Sequence, residues 1–208
     1  MQPIVLMPIV LMTASLLIAG NARAEGRWET STSGCQVWID DPHPEKTVAW
    51  SGSCTDGRAS GKGVLVWSFM EDGKRVQSRF EGRMKGGDID ERGGVYAWGN
   101  GNRYEGDFLE GLMEDDNGIY TWANGNRYEG EFRKGEEDGR GVHAWANGNS
   151  YEGEFREGAM NGRGTYVWAN GDRYEGEFRD GLMNGQGVYV WASGKRYEGA
   201  FRDGKAVR

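Results

Sequence analysis

The chain has 208 residues, 25 Lys+Arg against 32 Asp+Glu for a formal net charge of −7, and is rich in glycine (36) and tryptophan (9). That length bounds it to one domain or one repeat array, and an acidic surface without a Lys/Arg cluster gives no electrostatic footprint for nucleic acid or anionic lipid.

In chain order, residues 1–24 read as a cleaved secretory signal. An apolar run, Ile4 to Ala19, leads into Ala22-Arg23-Ala24, with small residues at −3 and −1 of the cut. The run is shorter than the ~18 to 20 apolar residues of a spanning helix. No Lys or Arg precedes it, so the amino terminus alone charges the n-region. Cleavage after Ala24 makes the protein periplasmic or secreted; an uncleaved anchor is the alternative. Export makes a Cys35–Cys54 disulfide the expected pairing of the two cysteines. Residues 25–49, with Pro42 and Pro44, read as an N-terminal cap that the bridge ties to the rest.

From Trp50 the chain repeats. Tyr128, Tyr151, Tyr174 and Tyr197 recur at a constant step of 23 residues. The repeat from Tyr128 reads Tyr128-x-Gly130-x-Phe132, Gly135, Gly139-x-Gly141, Trp145 and Asn147-Gly148, and those from Tyr151 and Tyr174 match its aromatic and glycine positions. The first, from Trp50, keeps Gly52, Gly57, Gly61, Gly63 and Trp67. Such a period signals stacked supersecondary elements.

Alternation supplies the local structure. Tyr128, Gly130 and Phe132 fall on one face of a strand, and Arg127, Glu129, Glu131 and Arg133 on the other. Each repeat is therefore a hairpin with its inner turn in the stretch Gly135 to Gly139, while the Asn-Gly pairs at 100–101, 124–125, 147–148 and 170–171 join successive hairpins. A three-residue loop, Ala146-Asn147-Gly148 with Gly148 left-handed, keeps Trp145 on the face of Tyr151. Glycines inside strands make room for rings of neighbouring repeats. The repeats from Phe80 and Tyr104 are one residue longer, and Arg92 and Asp116 replace the first Gly of Gly-x-Gly, which predicts a looser inner turn. The insertion Ser68 to Arg79, with Asp72-Gly73, predicts an extended hairpin.

Tyr-x-Gly-x-Phe-x-x-Gly followed by Gly-x-Gly and an aromatic at this pitch resembles the MORN repeat, over residues 50–208 and about six and a half copies. The resemblance implies an all-β fold, an elongated single-layer twisted antiparallel sheet of stacked β-hairpins, here with a small disulfide-linked cap. It also implies a non-catalytic interaction or self-association scaffold, whose partner is another protein or a second copy held through the C-terminal repeats. Membrane association is the secondary reading.

The aromatic face carries Tyr104, Trp122, Tyr128, Trp145, Tyr151, Trp168, Tyr174 and Trp191. It is the packed face of the sheet and, where exposed, the candidate binding surface for a protein, a lipid or a glycan. The Arg/Glu stripe opposite reads as a solvated face with cross-strand ion pairs. Gly57 to Gly63 is one residue short of a phosphate loop and lacks the Ser or Thr after its Lys. Asp88 to Gly93 opens like a calcium loop but places Arg92 at a ligand position. His143 fills a slot that holds Tyr96, Tyr120, Tyr166 and Tyr189 elsewhere. Neither a metal nor a cofactor is expected, and no Cys-His pair or isolated Ser/His/Asp set supports catalysis.

Overall fold

The computed structural model describes residues 26–39, 46–90, 92–109 and 111–207. The expected signal segment, Pro42, His43 and Pro44 lie outside them. Contacts group the described residues into two compact units, one running to Ala123 and one starting at Asn124. The fold is all-β, an open and mostly antiparallel sheet of hairpins.

In the C-terminal unit, β13 (Arg127–Arg133), β14 (Glu136–Ala144), β15 (Ser150–Arg156), β16 (Ala159–Val167), β17 (Arg173–Arg179), β18 (Leu182–Val190), β19 (Arg196–Arg202) and β20 (Lys205–Ala206) each pair antiparallel with the next. The inner turn is tighter than the glycine spacing suggests. It consists of Lys134-Gly135, Glu157-Gly158 and Asp180-Gly181, two residues each and both left-handed (φ 52° and 87° in the first). Such mirror-image turns match the right-handed twist of paired strands, so the chain re-enters the sheet at once and Gly139 lies within β14.

Gly139 instead marks a bulge. Gly130 pairs with Gly141 but Phe132 with Glu137, so β14 accommodates extra residues opposite Glu131. The Arg140 N–H at the bulge donates to Glu131 Oε1 at 2.9 Å, as Arg163 does to Glu154 (3.2 Å) and Gln186 to Glu177 (3.1 Å). A Cβ at Gly139, Gly162 or Gly185 would collide with that carboxylate. The second glycine of each pair has a different task. A Cβ at Gly164 would lie 2.5 Å from Tyr151 Cζ, and Gly141 and Gly187 are covered in the same way by Tyr128 and Tyr174.

Between hairpins the three-residue loop forms as expected. Gly148 N–H donates to Trp145 O (2.9 Å) and Trp145 N–H to Asn149 O (3.0 Å), with Gly148 at φ 89°. His143 consequently faces Tyr151, and Trp145 follows on the same side.

The N-terminal unit contains β1 (Arg27–Thr30), β2 (Gln36–Ile39), β3 (Thr47–Trp50), β4 (Ser53–Thr55), β5 (Arg58–Glu71), β6 (Lys74–Lys85), β7 (Asp88–Ile89), β8 (Gly94–Ala97), β9 (Arg103–Gly106), β10 (Phe108–Leu109), β11 (Leu112–Met113) and β12 (Asp115–Thr121). The insertion extends the β5–β6 hairpin to Glu71↔Lys74 around a left-handed Asp72-Gly73 turn. Cys35 and Cys54 form a disulfide, their Cα atoms 5.6 Å apart. β1 pairs with β2, while β2 meets β5 in parallel at Gln36↔Arg58. β3 crosses the expected cap boundary at residue 49 and pairs with β5 from Thr47↔Ser68 to Trp50↔Leu65.

In the two long repeats the irregularity lies elsewhere than expected. Their turns still span two residues, between Lys85↔Asp88 and Leu109↔Leu112. The looseness follows the turn: Arg92 stands in the break before β8, and Asp116 at the start of β12, whose pairing with β9 begins only at Ile119↔Glu105. At the equivalent Gly139, Gly162 and Gly185 a Cβ would meet the glutamate that caps the bulge, an arrangement the two long repeats do not have. The freed amides find other acceptors: Asp107 Oδ1 takes Gly93 N–H, while Asp115 takes those of Asp107 (2.7 Å) and Asn117 (2.7 Å).

Candidate functional site

The eight aromatic candidates separate into two layers. Tyr104, Tyr128, Tyr151 and Tyr174 are 0% exposed. Each hydroxyl donates to a backbone oxygen three residues on: Asp107 (3.0 Å), Glu131 (3.0 Å), Glu154 (3.0 Å) and Glu177 (3.1 Å). Tyr151 is held edge-to-face between Phe155 (5.1 Å) and Phe178 (4.9 Å). Burial pushes these hydroxyls above their usual pKa, that of Tyr174 to about 12. The four tyrosines therefore form the core and offer no surface to a ligand.

Trp122, Trp145, Trp168 and Trp191 are half-buried. In the C-terminal unit they belong to a continuous stack: His143–Trp145 at 4.2 Å, Trp145–Tyr166 at 5.3 Å, Tyr166–Trp168 at 4.5 Å, Trp168–Tyr189 at 5.2 Å and Tyr189–Trp191 at 4.8 Å. The N-terminal unit repeats the arrangement through Trp67, Tyr96, Trp98, Tyr120 and Trp122. Trp145 and Trp168 thus have a ring against each face. The flanking rings, tilted 36° to 51° except at His143, leave each indole less open face on which a sugar ring could stack.

The alignment of this stack rests on residues that the repeat pattern alone did not single out. The residue after each Asn-Gly loop clamps it to the next. Asn149 Oδ1 accepts Ala169 N–H (2.9 Å) while its Nδ2 donates to Tyr166 Oη (2.8 Å). Asn102 does the same with Ala123 and Tyr120. Asp172 accepts Ala192 N–H (2.8 Å) and the Tyr189 hydroxyl (2.7 Å). Desolvation would raise the Asp172 carboxyl, but these hydrogen bonds and one from Asn170 outweigh it and hold it below its usual pKa. The signal was present in the recurrence of Asn102, Asn126, Asn149 and Asp172 two residues beyond each Asn. Asn149→Leu is expected to cost about 1–2 kcal/mol, leaving the Ala169 amide without its acceptor, and Asn149→Asp much less; thermal melts of the two variants check this.

The charged stripe carries ion pairs along a strand. Arg127 reaches Glu129 at 2.6 Å, Arg173 reaches Glu175 at 2.7 Å and Arg196 reaches Glu198 at 2.7 Å, all largely exposed. Long arginines two positions apart on a pleated face meet their own strand's carboxylate. Such pairs contribute under ~1 kcal/mol each.

His143 stacks on Trp145, and burial lowers its pKa to about 4. Glu137, 9% exposed, stands in the slot that Met160 and Met183 fill in the next two repeats, and burial raises its carboxyl to about 8. The Gly57 to Gly63 stretch is the β4–β5 turn and the start of β5. Of the calcium-like stretch, Asp88 and Ile89 form β7, and among the described residues no group of three or more His, Cys, Asp or Glu could hold a metal.

The MORN repeat model matches residues 51–68, 117–127, 128–150, 151–173 and 174–196. No curated protein matches the chain. The stretch between the first and second matched segments contains the extended hairpin and the two opened bulges, where the sequence leaves the family pattern for the structural reasons above. Matched segments and fold together make the chain a MORN repeat protein.

Proposed function

We propose that the protein is a non-catalytic interaction scaffold, exported to the periplasm or the cell surface, whose partner is another protein. The half-exposed tryptophan row carries this reading. Partly exposed indoles repeated once per hairpin beside a buried tyrosine core present apolar area at little entropic cost, which suits a protein surface. Because stacking covers part of the ring faces, glycan binding is less well supported, and membrane association would have to use the same indoles. The disulfide supports an oxidising compartment. Self-association is a second reading: among the described residues, the outer side of β19 pairs with β20 at Phe201 and Arg202 and accepts the Val207 N–H at Ala200 O, and Arg196 to Gly199 have no strand partner on that side.

Capture from an envelope extract tests the scaffold, with the full chain as bait beside a Trp145→Phe/Trp168→Phe variant. Phenylalanine keeps the stack but removes the indole. Specific partners are expected with the native chain and should fall at least fivefold with the variant. Equal capture by both baits would move the contact off this row.

A further inference from the structure

On the charged face of the N-terminal unit, β5 and β6 with Asp90, Arg92 and Gly93 line an open depression of about 1110 Å³. Its lining carries four cationic side chains, Lys62, Arg83, Lys85 and Arg92, against two carboxylates, Glu81 and Asp90. Among the described residues none of the four makes a side-chain ion pair or hydrogen bond. Glu81, also in the lining, is committed to Arg79 at 2.6 Å. A cationic patch therefore stands on a chain whose net charge is −7.

The repeat shows how unusual that charge is. Lys62 pairs directly with Arg83 across β5 and β6. Of the equivalent cross-strand pairs, Arg140↔Glu154 and Arg163↔Glu177 are opposite in charge and Gln186↔Ala200 is uncharged. Like charges placed opposite each other oppose pairing. Nor does the structure use Arg83 in compensation. Glutamates at its repeat position cap a bulge amide, a task that Asp107 performs here for Gly93. Arg92 adds a further charge where the array has glycine. Two departures, Arg83 and Arg92, converge on one glycine-floored hollow, and each raises its positive potential.

We propose that this depression binds a multiply charged phosphate-type oxyanion. Two arginine forks and two lysines supply the donors such an anion takes up, and a bound anion removes the Lys62–Arg83 repulsion. The anion's source is either a free solute or a lipid headgroup.

Isothermal titration of the full chain with inorganic triphosphate, and flotation with phosphatidylcholine vesicles containing phosphatidic acid, test the site and separate the sources. Arg83→Glu recreates the opposite-charge pair of two other repeats, so it is expected to melt no lower than the native chain while binding at least tenfold more weakly. Arg156→Glu, the same charge change in the C-terminal unit, should leave binding unchanged. Triphosphate binding with this pattern supports a solute site, and vesicle binding alone with this pattern supports a headgroup site. Binding to neither probe, equal binding by Arg83→Glu, or an equal loss in Arg156→Glu overturns the proposal.

Discussion

Tyr151→Ala is expected to destabilise the C-terminal unit by about 4 kcal/mol, the range for deleting a large, fully buried aromatic. The ring is 0% exposed, packs between two phenylalanines and donates its hydroxyl to Glu154 O. Deleting it opens a cavity that the neighbouring repeats cannot close, because each has its own ring in the same place. Gly164→Ala is expected to cost roughly 2–3 kcal/mol in the native chain, since its methyl group would overlap the Tyr151 ring. In the Tyr151→Ala background the same change should cost far less, with a coupling of at least ~1 kcal/mol. Urea denaturation of the four proteins in this cycle, followed by tryptophan fluorescence, measures the coupling. Equal costs in both backgrounds would mean that Gly164 serves something other than the ring.

The β13–β14 hairpin is expected to lose stability at both ends of the pH scale. Burial lifts the Glu137 carboxyl from 4.5 to about 8. The stability linked to its neutral form is complete below pH 4.5 and is lost as pH rises through 8, because the unfolded chain gives up that proton first. His143 works in the opposite direction, its pKa falling from 6.5 to about 4. Below pH 6.5 the unfolded chain takes up a proton that the folded one refuses until about pH 4, so stability falls across that interval. A tenfold difference in proton affinity between the folded and unfolded chain is worth roughly 1.4 kcal/mol. On that scale Glu137→Met should recover about 3 kcal/mol or more at pH 9, and His143→Tyr about 2 kcal/mol near pH 4. Both substitutions restore the residue found in the next two repeats, so packing is preserved. Hydrogen exchange of residues 127–144 at pH 4, 6 and 9 reads the effect locally, which suits an array whose repeats need not unfold together. A Glu137→Met profile parallel to that of the native chain would show that the carboxylate reaches water when it ionises.

These two predictions draw on different levels of information. That Glu137 and His143 are exceptions can be seen by aligning repeats; that their slots are buried cannot. The equivalent methionines and tyrosines could line an exposed face of a single sheet equally well. Their burial comes from rings of adjacent hairpins, and those are placed by the bulge opposite Glu131. The eight candidate aromatics illustrate the same division. Alternation puts tyrosine and tryptophan on one face without distinguishing them, yet the structure closes the tyrosines completely and leaves the tryptophans half-buried.

What the sequence alone determined is therefore the local part: hairpin after hairpin, the three-residue Asn-Gly loop, the extended β5–β6 hairpin and the cysteine pair. Alternation and left-handed glycine act over a few residues, and a repeated pattern states them several times. Only the tertiary structure decided that the inner turn takes two residues, that Glu131, Glu154 and Glu177 cap bulge amides, that arginines pair along their own strand, and that Lys62 faces Arg83. Each of these depends on the register between strands, and a bulge shifts register without leaving any change in the periodicity of the aromatic residues.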